Sequence, residues 1–406
     1  MGWNIRPVLS ALLRNRTGAV LVAVQIAIAL AVLVNAVYIV HQRIEKMHAP
    51  TGVDWRNEFW VQSEGFTSRF KAEPSMREDV RYLRSLDGVV DATPANSVPM
   101  GWSNQSTYLF TNPNQKGAQL SVSFYAMDEH GLNTLGAHLI AGRAFRADEI
   151  LPPVEAQNAT DFVPELIATQ SLAKLMFPGT NALGKVVYDD AGHAATIIGI
   201  INDVIAPSWS VLQGWNHVML IPRTSTMYGI GYLVRTVPGR RDAIMSQVEQ
   251  HLAASNPDRV INEVRSLEFF RNRLYREDRN MEVFLITVTL LVITICCVGI
   301  FGLATFNVST RTKQIGTRRA VGGRRLDIIH YFMIENALIT TAGVVVGCAL
   351  ALAVGYWLSL RYQLPRLDLY YLVGGILVLW FIGQLAVWQP ARRAAAVPPS
   401  VATRTV

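Results

Sequence analysis

Residues 283–328 read VFLITVTLLVITICCVGIFGLATF followed by NVSTRTKQIGTRRAVGGRRLDI, and the junction between the two halves decides the fold. The first half, 283–306, is 24 positions without a charge, enough for a helix to cross roughly 30 Å of bilayer hydrocarbon. The second half, 307–328, holds six basic residues, Arg311, Lys313, Arg318, Arg319, Arg324 and Arg325, against the single acid Asp327. An uncharged run that empties into a cationic segment reads as a span emerging on the cytoplasmic side. The few apolar residues of that segment, Ile315, Ala320, Val321 and Leu326, are spaced for one contact face, and Gly322-Gly323 divides it into two helical pieces. Attraction to anionic lipid explains the charges, but neither the paired glycines nor the apolar spacing. A helix lying along the membrane surface and seated in a groove of a cytosolic partner explains all three.

Working outward, three more apolar runs appear. One covers 18–40, with Gln25 and Asn35 as its strongly polar interruptions. Another covers 329–360, with His330 and Glu335 near its start, and a shorter one over 371–389 carries Tyr371, Trp380 and Trp388. The segments 1–17, 307–328 and 390–406 fall on one side of the membrane and together hold 12 basic residues and 1 acid, leaving 25 basic and 29 acidic residues elsewhere. The basic bias makes that side, with both termini, cytoplasmic and puts residues 41–280 outside. No small-x-small site follows the first run, which therefore reads as an uncleaved anchor. Val8, Leu9, Leu12 and Leu13, with Arg6, Arg14 and Arg16 around them, suit an interfacial helix over 1–17. The expected layout is this helix, span one at 18–40, a large domain at 41–280, span two at 281–306, a cytoplasmic loop at 307–328, span three at 329–360, an outer loop at 361–370, span four at 371–389 and a cytoplasmic tail.

Composition narrows the function. Of 406 residues, 50 % are hydrophobic and 17 % charged, well below the roughly 25 % charge of a soluble domain. A simple cytosolic enzyme is excluded. Cys296, Cys297 and Cys348 all lie in apolar runs, so the large domain is no disulfide scaffold. The net charge of +7 resides on the cytoplasmic segments, which removes the nucleic-acid reading. Within 41–280, helices are expected over 76–86, 170–176 and 241–254, and strands over 89–92, 107–111, 120–125, 162–167, 195–200, 218–221 and 231–236, an α+β pattern. Gly179 to Lys185 has the spacing of a phosphate loop, but Val186 stands where Ser or Thr would reach magnesium. No HExxH or GxSxG occurs, and the histidines are scattered. No catalytic, metal or cofactor residue is assigned.

The cationic segment resembles the signature of the MacB/FtsX-like ABC transporter permease family. Arg311, Ile315, Gly316, Arg318, Arg319, Ala320, Gly322, Gly323, Asp327 and Ile328 match it, and Gln314 departs where the family has Glu. The stretch 332–338 around Glu335, the tail at 390–395, the Gly142-Arg143-Ala144-Phe145 turn and the 177–185 segment are similar to further family patterns. The resemblance implies four transmembrane helices with a large α+β periplasmic domain, built from a porter-like subdomain and an inserted subdomain at about 128–205. It implies a non-catalytic permease of the bacterial inner membrane, working for efflux with a periplasmic adaptor and a dimer of cytosolic ABC ATPases. ATP and magnesium would be bound by the ATPase, expected as a separate chain. Ile315 and Val321 would pack on the ATPase, Arg311, Lys313, Arg318 and Arg319 would face its acidic residues, and Gly316 and Gly322 would shape the contact. ATPase closure would push span two against the outer domain through 271–279, a mechanotransmission in which no substrate crosses between the spans.

Two membrane features are open at this stage. Gly343, Gly347, Ala351 and Gly355 form a small-residue ladder, suited to a second permease copy, a related permease, or spans two or four of the same chain. Glu335 inside the membrane suits a proton relay, snorkelling, or pairing with a base of the preceding loop. An FtsX-like signalling permease acting on a cell-wall hydrolase and an extracytoplasmic sensor are the rival readings.

Overall fold

A computed structural model describes residues 16–101, 106–113, 120–154, 163–206, 216–226, 229–362 and 367–398. The expected leader helix up to residue 15, most of the turn at 112–117, and the tail beyond 398 lie outside the described residues. In chain order the elements are α1 (Arg16–His48), β1 (Glu58–Gly65), α2 (Ala72–Ser85), β2 (Val89–Ala95), β3 (Ser106–Leu109), β4 (Leu120–Met127), α3 (Gly131–Thr134), β5 (Leu139–Gly142) and β6 (Leu151–Val154). There follow β7 (Glu165–Thr169), α4 (Gln170–Met176), β8 (Val186–Tyr188), β9 (Ala194–Ile201), β10 (Val218–Ser225), β11 (Ile230–Thr236), α5 (Arg241–Ser255), β12 (Arg259–Ser266) and α6 (Leu267–Leu274). The chain then forms α7 (Arg276–Thr310), α8 (Thr312–Ala320), α9 (Arg325–Tyr362) and α10 (Leu369–Ala395). The described residues form two compact units, the helices up to His48 with those from Asp278 onward, and Ala49–Glu277.

The α+β unit is organised by one twelve-stranded sheet, ordered β12-β1-β11-β2-β4-β10-β7-β9-β5, with β3 on β4, β6 on β10 and β8 on β9. Its β12-β1-β11-β2 portion is antiparallel and buries Phe59, Val61, Leu83, Tyr232, Val248 and Leu252 in one core with α2 and α5. Arg259, 5 % exposed, is ion-paired with Asp79 in this core, and the Tyr232 hydroxyl also donates to Asp79 at 2.5 Å. Hydrogen bonds of this kind are what make a buried ion pair tolerable. Only the pair Ala95–Met127 links β2 to β4. Beyond it a separate core gathers Val122, Leu166, Leu172, Ile197, Met219 and Ile221. This second core reaches past 128–205 at both ends, because β4 and β10 are parallel neighbours and deliver Val122 and Met219 to the same layer.

Two local features carry the α+β unit's chemistry. Gly142 has φ +80°, and a Cβ there would come within 2.2 Å of the Ile198 carbonyl oxygen, so only glycine fits. Next to it Arg143 donates to Glu149 at 2.7 Å and to Glu165 at 3.1 Å, and this bonding lowers the Glu149 carboxyl to about 2. Glu58 is wholly buried. Burial pushes its carboxyl up to about 8, opposed by a bond from the Asp54 backbone N–H.

The other unit holds four helices long and apolar enough to cross a membrane, α1, α7, α9 and α10. The ladder on α9 seats against α1. A Cβ on Gly343 would lie 2.7 Å from the Ala23 carbonyl oxygen, and one on Gly347 would lie 3.0 Å from the Ala27 Cα. Ala351 is fully buried, and Gly355 faces Asn35. The ladder thus meets span one of its own chain, a neighbour that its spacing does not reveal. Side-chain amides tie the helices together. Gln25 donates to the Ile295 carbonyl at 2.7 Å, Asn35 to that of Ala351 at 3.1 Å, and Asn336 to that of Gly383 at 3.0 Å. Each uses the spare lone pair of a carbonyl on the facing helix.

Candidate functional site

The cationic segment folds as the hairpin its glycines suggest. Helix α8 stops at Val321, where Gly322 takes φ +95°. The Gly322 N–H donates to the Arg319 carbonyl at 3.1 Å and the Gly323 N–H to that of Arg318 at 3.0 Å, the paired bonds of a Schellman stop. Gly323 is required as well, since a Cβ there would fall 2.8 Å from the Arg318 oxygen. The chain turns at once into α9, where the Arg324 N–H donates to Asp327 at 3.0 Å. Asp327 lies in the first turn, where a carboxylate offsets the helix dipole.

The side chains divide into an inner and an outer set. Ile315 is 6 % exposed and packs in the membrane unit's core with Ile328, Phe332 and Ala394. Gly316 is buried too. Arg311 donates to Glu335 at 3.1 Å and to the Tyr331 hydroxyl at 3.3 Å. Arg319 donates to the carbonyls of Ala395 at 3.1 Å and Val397 at 2.9 Å, capping the end of α10 as a cation should. These four residues are therefore committed within the chain. Arg311 and Arg319 remain partly exposed beside these contacts, whereas Ile315 and Gly316 are buried. The outer set is Lys313, Arg318, Val321, Gly322, Arg324, Arg325 and Leu326, with Val321 85 % and Leu326 63 % exposed. Arg318 lies over the Tyr331 ring, 5.1 Å from its centre. Between α8 and the start of α9 is a cleft of about 250 Å³ with Gln314, Arg318 and Asp327 in its lining.

Glu335 pairs with a base of the preceding loop, the third of the three readings open from sequence. Residues absent from the sequence-derived set also take part: Tyr331 and Asn307. Each stands four residues before a member of the Arg311–Glu335 pair, Tyr331 before Glu335 and Asn307 before Arg311, a helical neighbour spacing that could have flagged them. Elsewhere, the 179–185 segment is a turn between α4 and β8, with Gly179 at φ +72° and Gly184 at φ +77°. Trp209 and Trp215 lie outside the described residues. Among the described residues no three His, Cys, Asp or Glu side chains group as metal ligands.

A family model described as the FtsX-like permease C-terminal matches residues 286–399, which contain the hairpin and the last spans. The chain is 26 % identical over 344 residues to the macrolide export ATP-binding/permease protein MacB of Campylobacter jejuni, covering 79 % of this chain and 48 % of that protein. It is 24 % identical over 351 residues to the probable export ATP-binding/permease protein MacB of Pseudomonas entomophila, covering 82 % and 48 %. It thus spans about half the length of these curated relatives. Among solved structures, the periplasmic region of MacB from Actinobacillus actinomycetemcomitans matches 56 % of this chain and 97 % of its own, at 15 % identity and a TM-score of 0.36, too low to carry a conclusion. Four helices long and apolar enough to span make this a multi-pass membrane protein. With the hairpin, the spans and the α+β domain in place, residues 286–399 match the FtsX-like permease C-terminal family, and the chain as a whole is similar to MacB-type export permeases.

Proposed function

We propose that this permease couples ATP hydrolysis by a cytosolic ABC ATPase to a conformational change of the α+β domain on the far side of the membrane, in service of export. One observation carries the reading. Helix α8, its glycine stop and the start of α9 present Lys313, Arg318, Val321, Arg324 and Leu326 outward, while Ile315 and Arg319 anchor α8 inward. A cationic, partly apolar surface on a rigidly anchored helix suits an acidic groove on a moving partner. The chain passes from α6 into α7 with only Tyr275 between them, which supports push through span two as the route outward.

The ATPase acts as a dimer under two permeases, and a periplasmic adaptor joins the α+β domain, whose cores around Phe59 and around Val122 correspond to a porter-like and an inserted subdomain. The exposed apolar face of α7, including Leu291, Ile295 and Val298, suits pairing with a second permease. The test is Val321→Glu with Leu326→Glu in the full chain co-expressed with its ATPase. Loss of co-purification is expected, with the permease still eluting as a single species; full retention would overturn the docking surface. Gly316 and Arg319 are unsuitable for this test, because changing them disturbs the anchor itself.

A further inference from the structure

We propose that Arg311, Glu335 and Asn307 form a polar latch, closed by one buried water, that makes α8 move as one piece with α7 and α9. The proposal rests on α8 being the seat of the ATPase and names how force leaves that seat. Arg311 stands at the junction of α7 and α8, and its guanidinium reaches Glu335 of α9 at 3.1 Å. Glu335 is 3 % exposed and Asn307 8 %. A carboxylate so placed is costly unless paired, and the pair is costly to part.

The second observation is independent of the ion pair. Glu335 Oε1 and Asn307 Oδ1 are buried acceptors that no described protein donor reaches. Both residues line one small cavity of about 20 Å³, otherwise bounded chiefly by apolar side chains such as Ile300, Leu303 and Phe332. A space of that size holds a single water when two or more polar partners are present. One water has two hydrogens to donate, matching two acceptors on neighbouring helices. A cation is disfavoured there, because Arg311 already neutralises Glu335. The latch therefore has a direct strand, Arg311 to Glu335, and a wet strand, Asn307 to Glu335.

The test is trypsin cleavage at Lys313 and Arg318, measured on the purified full chain in lipid nanodiscs without ATPase. Cleavage of a helix tracks its local opening. Arg311→Gln and Glu335→Gln are each expected to raise the rate about tenfold, and the double variant to be no faster than either single, as coupled partners require. Arg311→Lys, which keeps the charge, should cleave close to the wild-type rate. Asn307→Leu, which removes one acceptor at similar volume, should raise the rate roughly threefold. Unchanged rates in the two Gln singles, or strictly additive effects in the double, overturn the latch; wild-type cleavage of Asn307→Leu overturns the water. ATPase co-purification with the Gln variants is expected to persist, so its loss in Val321→Glu with Leu326→Glu tests the docking surface separately.

Discussion

Helices α1 and α7 read alike in sequence, each a long apolar run free of charge, yet the structure uses them in opposite ways. In α1, 56 % of the apolar stretch is buried inside the chain, against 11 % in α7. Lipid tails are as apolar as leucine, so hydrophobicity drives a helix into the membrane without choosing its neighbours. What draws α1 to the centre is the ladder of small residues on α9, which lets the backbones approach, and the amide of Asn35 bonded to Ala351. α7 lacks a facing ladder and keeps Phe284, Leu290 and Val298 exposed, a surface for lipid or for a second permease.

The contrast can be broken by adding bulk to each helix contact in turn. Gly347→Leu on α9 forces atoms into Ala27 and Leu30 of α1 and should cost about 3 kcal/mol, read as a large drop in the thermal midpoint of the purified protein. A mild effect would mean that α1 is no more tightly held than α7. A pH series then separates the α+β unit from the spans. The Glu58 carboxyl stands at about 8 in the fold, raised by burial, and near 4.3 in an unfolded chain. Its stabilising contribution is full below about 4.3, declines as pH rises through that interval, and is gone above about 8. Linkage puts the amplitude on the order of 5 kcal/mol. Glu58→Gln should flatten this slope in the unfolding of the α+β unit and leave the transition of the spans in place; an unaltered slope would exclude Glu58 as its source.

Smaller changes sharpen the same comparison. Asn35→Leu removes the amide bond from α1 to α9 and should cost about 0.6 kcal/mol, visible as a slight loss of midpoint in detergent. Gly302→Leu on α7 meets nothing within 4 Å. It should leave stability within about 0.5 kcal/mol of the wild type, unless a second permease covers that face, in which case cross-linking between permeases falls while the monomer's midpoint holds.

The α+β unit shows where sequence reading stops. β9 and α4 were legible because their alternation and apolar runs were regular. β1 was missed because Phe59, Trp60 and Val61 are buried one after another, so the alternation that marks a half-buried strand is absent. β12 was missed for the opposite reason: Arg259, Asn262, Glu263 and Arg265 make it look like a loop, although it pairs along the length of β1. Pairing partners decided both. In the cytoplasmic hairpin, the helix, the glycine stop and the cationic character were all legible. Which arginines face in and which face out was not, because Arg311 and Arg319 are told apart from Arg318 only by what α9 and α10 place beside them.

By itself the sequence determined that the chain spans the membrane four times, that its basic segments share one face, and that the hairpin must turn at Gly322-Gly323. These follow from transfer free energies, charge placement and backbone sterics, which act on short stretches. Tertiary structure alone decided that α1 is the most deeply buried of the four spans, that Glu335 is held by Arg311, and that Ile315 packs in the membrane unit's core. Packing and ion pairing join residues far apart in the chain, and no local pattern of residues encodes which distant surface will arrive opposite.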